Sequence, residues 1–224
     1  PEIQAEMTEA TRYVEQVPMR IGPVTLEGRR ARLIPMTRDH VDALFRAADF
    51  PAIWEHTGTR PIRNVDDMRR YMAVAFAEEA SGTAVPFVTT DPATGEIIGS
   101  TRFANMSLAD RRVEIGWTWM RPDRQRTGVN GEAKAMMLRH AFEVWGALRV
   151  EIKTDVRNTR SRAAIERIGG LYEGTFRQHM VVRDGRVRDT VYYSIMDYDW
   201  RDPDHRAYRN AVSYGITPNP EPVV

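Results

Sequence analysis

Apolar and polar positions change period several times along this chain, and each change marks an element. Val24 to Met36 alternates around Gly28, as two short strands or one bulged strand would. From Thr37, a suitable N-cap, Val41, Leu44 and Phe45 share a helical face that runs to Asp49. Met68, Tyr71, Met72, Ala75 and Phe76 make a second helical stripe within 65–80. Residues 84–91, 97–107 and 111–120 read as three strands, the first two joined by Pro92-Ala-Thr-Gly-Glu96. A helix is predicted over 131–145, with Ala133, Met137, His140, Ala141 and Val144 on one face, and Met136 and Met137 belong to the core. A strand over 149–156 and a short helix over 158–170 follow, the helix capped by Asn158 and stopped by Gly169-Gly170. A hairpin turning at 183–186 closes the series.

The order is β, α, α, three strands, α, β, α, β, β. That is a mixed α/β arrangement with a strand–helix–strand unit at its centre and an antiparallel hairpin at its end. It predicts an N-terminal extension over 1–20, one domain over 21–200, and a tail over 201–224, exposed and extended because prolines stand at 218, 220 and 222.

Composition narrows the chemistry. The 224 residues are 42% hydrophobic, enough for one large core. No apolar run approaches the roughly 18 residues of a membrane helix, and the acidic start lacks the basic and apolar regions of a secretory signal. With no cysteine, disulfides, thiolate nucleophiles and Cys-ligated zinc are out of reach, and a cytoplasmic setting is expected. Five scattered histidines have no metal-ligand spacing, so no metal is expected. Net charge is +1, and Lys134 and Lys153 are the two lysines among 32 basic residues. Charges of both signs are mixed throughout, which argues against a nucleic-acid partner.

The most informative stretch is Arg124-Gln-Arg-Thr-Gly-Val-Asn-Gly-Glu-Ala133, set between a strand and a helix. Such a loop leaves the first amide N–H groups of the helix unpaired, with the positive end of the dipole behind them, and this suits a phosphate. Gly128 would let the backbone approach a ligand closely, and Arg124 and Arg126 add charge. The stretch is neither a Walker A loop nor G-x-G-x-x-G.

It does fit Gln-x-x-Gly-x-(Gly/Ala), with Gln125 and Gly128 matching and Asn130 at the last place. In this the chain resembles the GNAT N-acetyltransferases, over roughly residues 24–200. Asn158-x-x-Ser161 and Arg167-Ile-Gly-Gly170 are similar to that family's next segment. Tyr172-Glu-Gly-Thr-Phe-Arg177 and Arg188-Asp-Thr-Val-Tyr-Tyr-Ser194 resemble its RimJ/RimL-like branch. The resemblance implies the GNAT fold: a mixed, mostly antiparallel sheet flanked by helices and splayed between the strands at 111–120 and 149–156. It implies acetyl-CoA as co-substrate, with Gln125, Arg126, Thr127, Gly128, Val129, Asn130 and Gly131 around its pyrophosphate. Backbone of the strand end, including Trp119 and Met120, would pair with the pantetheine arm, and Asn158 would lie near that arm besides capping its helix.

Glu114 should face away from Val113 and Ile115, where a carboxylate could take a proton from an attacking ammonium; as an ordinary residue it would be a surface glutamate. Ser161 is the candidate donor to the departing thiolate, because the tyrosine many relatives carry seven residues after the Asn is Ile165 here. Trp54, with His56 and Arg60 beside it, and His179, with Arg177, are candidates for the acceptor site; Trp54 reads equally as a core anchor. Tyr192 and Tyr193 alternate, one toward the core and one toward cleft or solvent. The resemblance implies direct acetyl transfer to a primary amine, either a protein or peptide N-terminus or a small amine, with no membrane partner. Another acyl-CoA as donor, a non-catalytic acyl-CoA binder and a homodimer remain open.

Overall fold

The computed structural model describes residues 19–55, 57–182 and 185–221. The strands are β1 (Leu26–Glu27), β2 (Arg32–Pro35), β3 (Val85–Thr90), β4 (Ile97–Ser107), β5 (Arg112–Met120), β6 (Arg149–Asp155), β7 (Leu171–Val181) and β8 (Val187–Met196). They form one sheet in the order β1-β2-β3-β4-β5-β6-β8-β7. Each pairing is antiparallel except that of β5 with β6. The helices are α1 (Val41–Ala48), α2 (Pro51–Trp54), α3 (Val65–Ala80), α4 (Val129–Arg139), α5 (Thr159–Arg167), α6 (Asp197–Arg201) and α7 (Arg206–Ser213).

Alternation along the central strands sends side chains to two cores. Phe87 joins Ile98, Phe103, Val113, Ile115 and the buried face of α4. Its neighbour Val88 joins the other core with Leu44, Met68, Tyr71, Met72 and Trp119, so α1 to α3 pack on the opposite face. The helical stripe read at 65–80 is this contact: Met68, Tyr71, Met72 and Ala75 are buried.

β5 and β6 pair only from Arg112 to Glu114 against Arg149 to Glu151. Beyond Glu114 the strands part, and the β5 edge facing β6 loses its ladder. On its other edge β5 bulges: Arg102 pairs with Gly116 and Ser100 with Trp119, and Trp117 takes a φ of 49°. A left-handed tryptophan is costly, and here it sits at the fork of the sheet.

Two expectations change. The helix expected from 131 begins at Val129, because Gly128 at φ 90° serves as its N-cap, and it loosens into a π-turn at His140–Val144. The segment after 200 is not an extended tail: α7 buries Ala207 and Ala211 in the main core, and Trp200 in α6 is fully buried. Tyr214 then lies over the start of α4, where its hydroxyl occupies the place of the Cβ that Gly131 lacks. An alanine at 131 must push that ring aside, so Gly131→Ala is expected to destabilise by about 1–3 kcal/mol. A thermal melt of Gly131→Ala, with and without Tyr214→Leu, reads this: the second change should restore most of the loss. The expected N-terminal extension lies, up to residue 18, outside the described residues.

Candidate active site

The loop after β5 is held from two directions. Gln125 donates from Nε2 to the Met120 carbonyl at 3.0 Å, and its Oε1 accepts from Arg160 of α5 at 3.0 Å. Gln125 therefore braces the loop and does not aim its side chain at a ligand. Arg126 at φ 63° and Gly128 at φ 90° turn the backbone, and the first bond into α4 is Glu132 N–H to the Gly128 carbonyl at 3.0 Å. The N–H groups of Val129, Asn130 and Gly131 precede that bond, and among the described residues none has an acceptor. A helix start of this kind suits an anion. Arg30 reaches the cradle from the turn between β1 and β2, with its Nη1 3.5 Å from the Thr127 carbonyl. That turn is fixed by Glu132, whose buried carboxylate accepts from the N–H groups of Arg29, Arg30 and Ala31 at 2.6–3.1 Å.

At the fork stands Glu114. It points away from Val113 and Ile115, as alternation requires, but it is 3% exposed rather than a surface residue. Its Oε2 accepts from Asn105 Nδ2 at 2.7 Å and pairs with Lys153 Nζ at 2.9 Å. Its Oε1 lies over Gly116, 2.9 Å from where a Cβ there would be. Lys153 also lies over the Tyr192 ring at 5.7 Å, and that ring contacts Phe176 at 4.5 Å and His179 at 5.7 Å. Burial, then the nearby Lys153 and Arg188 cations, lower the His179 pKa below its ordinary 6.5, so the ring is neutral at pH 7. Two residues named from different parts of the sequence, Glu114 and His179, thus meet through Lys153 and Tyr192. Tyr193 is fully buried and Tyr192 is the one facing this group.

Below the fork, Lys134 of α4 is buried among apolar side chains. Its Nζ donates to Thr101 Oγ1 at 2.9 Å and to Thr118 Oγ1 at 2.6 Å, and no carboxylate meets it among the described residues. Desolvation lowers its pKa from 10.5 to about 7. Thr118 lies on the parted stretch of β5 and is exposed.

Residues 30–170, more than half of the chain, match the acetyltransferase (GNAT) domain. The chain belongs to the GNAT acetyltransferase family. Bacillus subtilis YdaF, named provisionally as a ribosomal N-acetyltransferase, is 35% identical over 106 residues. That match takes in 47% of this GNAT chain and spans just over half, 57%, of YdaF. A GNAT-family structure from Chromobacterium violaceum is 30% identical with a TM-score of 0.79, covering 86% of this chain and 96% of that one. Mycobacterium smegmatis RimJ, solved with CoA-disulfide, is 26% identical with a TM-score of 0.71, covering 87% and 96%. The RimJ/RimL-like branch expected from the two closing motifs is the one these relatives represent.

The remaining candidates divide by position. Trp54 of this GNAT chain is a core residue: it is 2% exposed, its Nε1 donates to the Ala48 carbonyl at 3.0 Å, and it packs on Tyr71 and Trp119. Its assignment to the acceptor site is corrected accordingly. Trp119 turns its ring into the same cluster, donating to the Tyr71 hydroxyl at 3.2 Å, so it can offer a ligand only its backbone. Met120 is likewise buried, and its carbonyl is the one that Gln125 holds. Asn158 caps α5 by accepting from Ser161 N–H at 3.0 Å. With Ala52, Glu55, Thr159 and Arg160 it lines a recess of about 220 Å³ between α2 and α5. Ile165, at the family's tyrosine position, is buried in the main core. His56 lies outside the described residues.

Sequence reading missed Lys153, Asn105, Lys134, Arg30 and Tyr214. Lys153 and Lys134 carried one signal, as the two lysines of an arginine-rich chain. Among the described residues no group of three His, Asp or Glu could hold a metal ion, and no helix is long and apolar enough to cross a membrane.

Proposed function

We propose that this GNAT enzyme transfers an acetyl group from acetyl-CoA to a primary amine, with a protein or peptide N-terminus as the leading acceptor class. The observation that carries the reading is the parted edge of β5, which runs from the buried Glu114 carboxylate at the fork toward the loop that leads into α4, whose first N–H groups have no acceptor among the described residues. The free N–H groups of residues 129–131, with Arg126, Thr127 and Arg30 beside them, would hold the pyrophosphate. The β5 edge from Ile115 to Met120 would hold the pantetheine arm by backbone bonds. Acetyl-CoA supplies an activated thioester. Glu114, whose Oε1 meets no donor among the described residues, takes the proton that the acceptor ammonium must lose before it can attack. Asn158 shapes the mouth of α5, and Ser161 is the hydroxyl next to it for the leaving thiol. YdaF and RimJ support a protein acceptor, and the cytoplasm is the compartment that goes with it.

Calorimetric titration with acetyl-CoA, beside desulpho-CoA and succinyl-CoA, tests this directly. Micromolar binding of acetyl-CoA is expected. Gly128→Glu should weaken it at least about tenfold, because Gly128 is left-handed and a carboxylate there faces the phosphate site. Heat with succinyl-CoA alone would move the donor assignment, and no binding of any of the three would end the acetyltransferase reading.

A further inference from the structure

Three buried polar atoms in one place lack a partner among the described residues: Arg188 Nε, Thr190 Oγ1 and His179 Nδ1. Arg188 and Thr190 are two residues apart on β8, so they share a face with Tyr192. His179 stands against the Tyr192 ring, and Arg188 acts electrostatically on His179 and on Glu114's side of the cluster. The cluster is therefore continuous with the Glu114 and Lys153 pair.

Arg188 is the residue that needs explanation. It is 8% exposed, yet its guanidinium forms no ion pair with any described residue. Asp155, which attracts it, is already held by Arg186 at 2.8 Å and Arg157 at 3.7 Å. A Cβ on Gly58 would lie 3.7 Å from Arg188 Nη1, so the loop after α2 closes over the guanidinium. Buried arginines in folded chains are normally paired, because an uncompensated charge out of water is costly and a guanidinium stays protonated. Around this fork Glu114 and Lys153 cancel and His179 is neutral, which leaves one positive charge over. Arg30 and Tyr214, not Arg188, pack against the cradle at residues 126–131, so Arg188 is not part of the pyrophosphate site.

We propose that Arg188 is a subsite for a carboxylate carried by the acceptor amine. A guanidinium fork binds a carboxylate through two parallel N–H donors. With the carboxylate fixed there, the amine of the same molecule is directed to Glu114. The inference rests on the acetyltransferase reading. Two sources share the chemistry: the α-carboxylate of a free amino acid, and an acidic side chain close to a peptide N-terminus.

The test uses the full chain with acetyl-CoA and two acceptor pairs: the peptide amides Ser-Glu-Ala-Ala and Ser-Gln-Ala-Ala, and serine beside serinamide. In one pair the carboxylate acceptor should exceed its neutral partner in kcat/KM by about tenfold to hundredfold, and the responding pair identifies the source. Arg188→Gln should erase that advantage through KM while leaving the neutral acceptor unchanged. Arg188→Lys should keep part of it, because a point charge lacks the fork. A melting temperature of Arg188→Gln at or above that of the parent shows that folding is intact. If acetyl-CoA binds but neither carboxylate acceptor outpaces its amide, or if a preference survives in Arg188→Gln, Arg188 has no such role. If acetyl-CoA does not bind at all, the failure lies with the acetyltransferase reading itself.

Discussion

Glu114→Gln is expected to lower kcat by about 10²- to 10⁴-fold, the usual contribution of a positioned general base, with acetyl-CoA affinity unchanged. The reasoning is geometric. Glutamine keeps the size of the side chain and can still accept from one of Asn105 or Lys153. It has no carboxylate to receive the proton of the acceptor ammonium, and the loss should appear in the rate rather than in donor binding. Removing the charge also leaves the half-buried Lys153 without its partner, so folding must be followed separately. Glu114→Asp, which retains the acid on a shorter arm, should recover part of the rate if proton transfer is the role. A Glu114→Gln enzyme within about threefold of the parent would show that this carboxylate only neutralises Lys153.

Lys134→Met should raise stability by about 2–4 kcal/mol at pH 7. Burial lowers the pKa of this amine from 10.5 to about 7 in the folded chain. At about 1.4 kcal/mol for each pH unit, holding the charge costs the fold about 4–5 kcal/mol below pH 7. Part of that is offset by the bonds to Thr101 and Thr118, which can still bond each other at 2.8 Å when the amine is gone. The sign of the pH dependence follows. Between about 7 and 10.5 the unfolded chain keeps a proton that the folded chain has released, so stability rises with pH across that window. Denaturant melts at pH 7 and pH 9 should show the parent gaining about 2 kcal/mol from this group, and Lys134→Met lacking that gain. Equal pH slopes in the two proteins would mean that Lys134 keeps its proton at an ordinary value.

The sequence by itself determined the element order, the two helical stripes, the strand–loop–helix unit at 111–145 and the caps at Asn158 and Gly169. These depend on neighbours a few residues apart, where period and backbone preference are decisive. It also gave the direction of Glu114 and the split of Tyr192 from Tyr193, because alternation along a strand is a local rule. It could not decide what those directions meet. Glu114 read as a candidate base or as an ordinary surface glutamate, because its partners are Asn105 on one neighbouring strand and Lys153 on the other. Trp54 looked as much like a substrate contact as a core anchor because Tyr71 and Trp119 close around it only in three dimensions. Gln125 and Gly131 stood among the residues expected around a phosphate, yet one accepts from Arg160 and the other makes room for Tyr214 from the far end of the chain. The tail looked extended because its prolines are visible in sequence, while the apolar face of α7 had no visible partner. Each of these was settled by contacts between distant segments. Burial, charge pairing and the fate of an orphan group such as Arg188 are properties of the assembled sheet, where desolvation makes every unpaired charge consequential.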